Sequence, residues 1–139
     1  MEYKDCINFL LTTSQHITFQ NLKNRLIPYG ITPVQYSVLK SLWDVESRTS
    51  KEIASILCLD SSTITGIVDR LEAKGFLRRL TTSEDRRKIL LQITDLGLAY
   101  RTEIEQTVND MNSEVLSIFT DEEILQFKTY LQRFISKEV

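Results

Sequence analysis

Histidine occurs once in 139 residues and cysteine twice, and both scarcities close off chemistry. His16 has no histidine neighbour, and Cys6 and Cys58 lack C-x-x-C spacing. Neither a disulfide framework nor a metal site is expected, no cofactor is implied, and a reducing compartment fits. There is no G-x-S-x-G and no glycine-rich phosphate loop, and nothing pairs a nucleophile with a base, so catalysis is not expected. No uncharged apolar run reaches about 18 residues, and no basic start leads into an apolar stretch. The expectation is a cytoplasmic protein with neither membrane span nor signal peptide.

The chain is instead 42% hydrophobic and 26% charged, ordinary for one soluble domain spanning residues 1–139. Its formal charge of -2 argues against nucleic acid until it is split. Residues 48–93 hold nine Lys or Arg against six Asp or Glu, a local +3, while the remainder carries -5. The basic charge is concentrated where a phosphate-binding surface would be.

Capping signals divide the chain. Thr32 with Gln35, Thr49 with Glu52, and Thr120 with Glu123 each read as a capping box opening a helix, the first with Pro33 at its first position. Before them, Ile7, Leu10, Leu11, Ile17, Leu22 and Leu26 form a loosely helical pattern from about Tyr3 to Leu26, ended by Pro28 and Gly30. The stretch from Asp60 to Ala73 places Ile64, Ile67, Val68 and Leu71 on one face, and Gly75 stands where a glycine ends a helix. Leu77 to Thr82 and the alternating Ile89, Leu91 and Ile93 read as two strands joined by Ser83-Glu84-Asp85-Arg86-Arg87-Lys88. Apolar residues at intervals of three and four then run from Asp95 to about Phe119 and through a last helix. The predicted fold is mainly α: a winged helix-turn-helix with a two-stranded hairpin wing at residues 31–94, framed by helices in 1–30 and 95–139. The framing helices have more apolar surface than the middle lobe can cover, so a homodimer is expected.

The helix after Asp60 carries a small, polar outer face. Ser61, Ser62, Thr63 and Thr65 can hydrogen-bond phosphates or base edges, or simply cap the helix with Asp60. Gly66 in a helix interior costs about 1 kcal/mol relative to alanine, which points to close approach by DNA or to tight helix packing. Arg70 faces outward toward a phosphate or a base. Asp69 would repel DNA unless it orients an arginine, so it is assigned a supporting role. Arg86 and Lys88 at the hairpin tip are expected on phosphates, with Ser50 and Lys51 adding backbone contacts; a solvated polar loop is the plain alternative. Cys58, between Leu57 and Leu59, is expected to be a small core residue.

Taken together, these segments resemble the MarR family of bacterial transcription regulators across nearly the whole chain. Thr32-Pro33-Val34-Gln35-Tyr36-Ser37-Val38-Leu39 is similar to the family's second helix, and Asp69-Arg70-Leu71 with Lys74-Gly75-Phe76-Leu77 to the end of its recognition helix. Asp85-Arg86-Arg87 is similar to the family's D-x-R wing tip, and Ile93-Thr94-Asp95-Leu96-Gly97 to its L-T-x-x-G, with Ile93 in place of Leu. The resemblance implies a dimer that binds double-stranded DNA at a pseudo-palindromic operator, usually represses, and is released by a small aromatic or phenolic effector or by oxidants. It places Arg87 in the minor groove, with Asp85 steadying it. It also suggests His16, Tyr36 and Trp43 around an effector cavity, though such residues more often serve core packing. Relatives that sense peroxide carry a cysteine directly before an apolar run like Phe9-Leu10-Leu11. Here that place is Asn8 and Cys6 lies two residues earlier, which argues against an oxidant-sensing role. The remaining rival is a winged helix used only for protein contact.

Overall fold

The computed structural model describes residues 1–82, 84–85 and 87–136. Its elements run α1 (Ile7–Leu26), α2 (Pro33–Trp43), β1 (Arg48–Thr49), α3 (Ser50–Leu57), α4 (Ser61–Ala73), β2 (Leu77–Thr81), β3 (Ile89–Ile93), α5 (Asp95–Ala99), α6 (Arg101–Val115) and α7 (Asp121–Ile135). The expected winged helix-turn-helix between N- and C-terminal helices is present.

Side-chain caps set most of the helix starts. At α2, Thr32 Oγ1 accepts from the Gln35 amide at 3.2 Å, and Gln35 Oε1 accepts from the Thr32 amide at 3.1 Å. Thr120 and Glu123 make the same reciprocal pair at α7. The third predicted box is only half made: Thr49 caps the Glu52 amide, and no bond returns from the Glu52 side chain. The α4 helix ends as a Schellman motif. The Phe76 amide donates to the Leu71 carbonyl at 3.0 Å and the Gly75 amide to that of Glu72 at 2.9 Å. Gly75 has φ +82, where a side chain would be strained.

Three boundaries differ from the sequence reading. The wing sheet has three strands, in the order β1-β3-β2, because Arg48 and Thr49 pair with Leu91 and Leu90. Two residues offer no alternation to detect, so β1 was invisible as a pattern. The helix expected to run on from Asp95 is divided at Tyr100, which caps both α5 and α6 while its ring packs against Phe76 at 5.7 Å. Before α1, Tyr3–Asp5 forms a separate 3-10 turn and Cys6 is the N-cap, so α1 begins four residues later than expected.

One core links lobe and frame. Leu26 of α1 and Ile104 of α6 join Val38, Leu39 and Leu42 of α2, Ile53 of α3, Ile64, Val68 and Leu71 of α4, and Leu77 and Leu91 of the wing. Burying each such side chain contributes about 1.5–3 kcal/mol, so α4 is anchored on the apolar face its periodicity predicted. In the frame, α1 lies against α6, with an Arg25–Glu114 ion pair and a 3.1 Å hydrogen bond between Tyr29 and Thr107. By contrast, α7 buries no residue, and Leu125, Tyr130 and Phe134 are 68%, 58% and 60% exposed.

Candidate nucleic-acid interface

Asp60 organises the start of α4. Its Oδ1 accepts the Thr63 amide at 2.7 Å and the Ser62 hydroxyl at 2.8 Å. These bonds, the Thr63 amide first, hold the Asp60 carboxyl below its ordinary pKa. Ser62 thus gives its proton inward and presents lone pairs outward, as an acceptor. Thr65 likewise donates to the Ser61 carbonyl at 2.8 Å. Ser61, Ser62, Thr63, Thr65, Asp69 and Arg70 are all exposed. Gly66 lies among them, and a β-carbon built on it would meet nothing within 4 Å. Tight helix packing therefore does not account for this glycine. On α3, Lys51 is exposed and Ser50 half-buried.

In the wing, β2 and β3 pair antiparallel from Leu77↔Ile93 to Thr81↔Ile89. Asp85 Oδ1 accepts the Arg87 amide at 2.9 Å, and Thr82 and Asp85 exchange two bonds at 3.0 and 3.1 Å. Asp85 thus shapes the backbone from which Arg87 projects, acting on its amide. Arg87 and Lys88 are exposed; Arg86 lies outside the described residues.

Two cations not singled out from sequence hold α4 in place. Lys74 donates to the Gly30 carbonyl and, at 3.1 Å, to Oε1 of the buried Gln35, holding the end of α4 against the start of α2. Arg79 on β2 reaches back to α4, with Nη2 2.5 Å from Asp69 Oδ1 and Nη1 2.6 Å from Glu72 Oε1. The arginine that Asp69 orients is thus Arg79, ten residues along the chain. A strand-to-helix pair has no fixed spacing, so only the fold brings it together.

The turn from β3 into α5 is bound to the same helix end. The Thr94 hydroxyl donates to the Gly75 carbonyl at 2.5 Å, the Thr94 amide donates to the Phe76 carbonyl at 3.1 Å, and Thr94 Oγ1 caps the Gly97 amide at 3.1 Å. A β-carbon on Gly97 would collide with the Phe76 carbonyl. Trp43 completes the joint by donating its indole N–H to the Gly97 carbonyl at 3.2 Å.

Of the three candidate effector residues, the structure brings together Tyr36 and Trp43, with ring centroids 6.1 Å apart. Burial pushes the Tyr36 phenol up in pKa. Trp43 is buried, and the Arg101 guanidinium stands 5.7 Å from its ring while pairing with Asp44. Lys40 and Glu105 pair at 2.7 Å, which raises the lysine's pKa and lowers the carboxyl's. His16 stands exposed on α1 with no hydrogen-bond partner among the described residues. Cys6 is half-buried. Cys58 corrects an expectation: it is exposed, in a left-handed conformation with φ 55 at the end of α3. Leu57 and Leu59 turn partly inward, and the reversal between them points Cys58 out.

The family model for MarR proteins matches residues 31–89, from just before α2 to the first residue of β3. The multiple antibiotic resistance protein MarR of Escherichia coli is 30% identical over 115 residues, covering 82% of this chain and 80% of that protein. The chain belongs to the MarR family. Among other MarR-type regulators, it is 33% identical over 111 residues to the HTH-type transcriptional regulator TtmR of Methylorubrum extorquens, covering 78% of this chain and 57% of that one. It is 34% identical over 97 residues to the organic hydroperoxide resistance transcriptional regulator of Bacillus subtilis, covering 70% of this chain and 66% of that one. The chain thus spans less than two thirds of the length of these two relatives.

Solved MarR-family structures superpose closely. A cysteine-to-serine mutant of Escherichia coli MarR complexed with operator DNA has a TM-score of 0.86 at 27% identity, covering 94% of each chain. CouR from Rhodococcus jostii bound to p-coumaroyl-CoA has a TM-score of 0.87 at 26% identity, covering 100% of this chain and 98% of that one.

Proposed function

We propose that this MarR-family protein is a sequence-specific double-stranded DNA-binding regulator that acts by binding alone. In this reading it works in the cytoplasm as a homodimer on a pseudo-palindromic operator, represses, and is released by a small-molecule effector. The observation that carries the reading is the outer face of α4. Hydroxyls and Arg70 are exposed there around an unpacked, half-buried glycine, on a helix whose opposite face is anchored in the core. A protein-contact surface would favour apolar or unpaired acidic residues; this one offers hydroxyls and Arg70, with its acids Asp69 and Glu72 paired to Arg79, beside a wing bearing Arg87 and Lys88. The operator-bound MarR neighbour supports DNA as the partner.

The exposed apolar residues of α1 and α7, Ile7, Leu10, Ile17, Leu125, Tyr130 and Phe134, favour a second copy of the chain as their cover. A two-fold dimer sets its reading helices roughly 34–36 Å apart, one DNA turn. Tyr36 and Trp43, where the lobe meets α5 and α6, are the proposed lining of an effector site with His16. An aromatic or phenolic ligand is favoured by the aromatic acyl group bound to CouR.

Selecting bound duplexes from a random pool at two salt concentrations tests the reading. An inverted repeat spaced by one turn, with affinity falling steeply with salt, is the expected result. No enrichment at low salt would overturn it in favour of a protein partner.

A further inference from the structure

The reading face of α4 has an acid at its centre. Asp69 lies seven residues after Ser62, so the two share a meridian of the helix to within about 20°. Glu72 follows three residues later. Asp69 is 61% exposed at its side chain and Glu72 40%. Carboxylates in this position would oppose a phosphate backbone, and like charges brought together across an interface cost several kcal/mol. Both are engaged by one residue. The two terminal nitrogens of Arg79 divide between them, and the Arg79 amide adds a 3.3 Å bond to Glu72 Oε2. With both terminal nitrogens engaged, the Arg79 side chain is 28% exposed, less than those of the acids it pairs with.

We propose that Arg79 is a positioning residue for DNA recognition: it neutralises Asp69 and Glu72 on the reading face and braces α4 against the root of the wing. This deepens the DNA-binding reading and rests on it. The planar fork suits the task, since a guanidinium can address two carboxylates at once whereas an ammonium is a single point charge. Because Arg79 lies on the strand that leads to the wing tip, the same bond also sets the angle between the two DNA-contacting parts.

The test measures operator affinity across a salt series for wild type, Arg79→Ala, and Arg79→Ala combined with Asp69→Asn and Glu72→Gln. Circular dichroism checks that each variant folds. Wild-type binding is the control on the underlying reading: a wild type that binds no duplex defeats DNA recognition itself. With that control in place, Arg79→Ala is expected to lose on the order of tenfold or more in affinity. It should keep the wild-type salt slope, and the triple variant should regain most of the loss. A residue with only a folding role would not be rescued by removing the acids. Wild-type affinity in Arg79→Ala would overturn the proposal. So would an unrescued loss with a salt slope smaller by about one, the mark of a direct phosphate contact. If Arg79→Ala does not fold, the folded triple variant decides alone: near-wild-type binding supports the proposal, and weak binding overturns it.

Discussion

Gly66 is a residue the fold does not require. With open space where its β-carbon would stand, alanine fits, and the helix would gain about 1 kcal/mol from the exchange. Gly66→Ala is therefore expected to raise stability in denaturant unfolding while weakening operator binding, because the added methyl stands between backbone and DNA. An alanine variant that binds like wild type would remove close approach from the account. Arg87 makes the opposite case, a large exposed side chain whose hydrogen bond to the fold, among the described residues, is made by its amide. Arg87→Ala should leave the oligomeric state unchanged in sedimentation and sharply lower operator affinity. Unchanged affinity would take the wing out of recognition.

At the scale of elements, the joint between α4 and α5 concentrates the constraints. Thr94, Gly97, Phe76 and Trp43 meet there and tie α5 to the end of α4. Gly97→Ala forces a methyl onto the Phe76 carbonyl and is expected to cost about 1–3 kcal/mol, read as a lower midpoint of thermal unfolding. Operator affinity should fall with it. The cap at the other end of α4 is pH-dependent. Asp60 titrates lower in the folded chain than in the unfolded one, so its contribution is present above the ordinary aspartate pKa of about 3.9 and is lost as pH falls through the folded value. Asp60→Asn, which retains a capping oxygen, should flatten that acid limb of the unfolding curve. These elements differ in how far the sequence disclosed them. The α4 helix was legible because its apolar period, its cap and Gly75 are local and agree. Strand β1 was not, since its two residues form strand only by pairing with β3. The hydroxyl face of the site was readable from helical spacing. The Arg79 and Lys74 bonds were not, because the partners meet only after strand and helix have folded against each other.

For the whole molecule, the decisive feature is a last helix with no residue fully buried in its own chain. If a second copy covers it, stability depends on protein concentration. The thermal midpoint should rise with protein concentration, and Phe134→Glu should abolish that rise, yield a monomer in sedimentation, and lose binding to an inverted repeat. A midpoint independent of concentration would count against the dimer. The same helix has a consequence in time. Amides exchange with solvent through local openings, and openings are easiest where few apolar contacts must be broken. In a lone chain, α7 should thus exchange deuterium and be cut by protease before α4, whose amides should outlast it. The order in which the molecule comes apart is written from its C-terminal end inward.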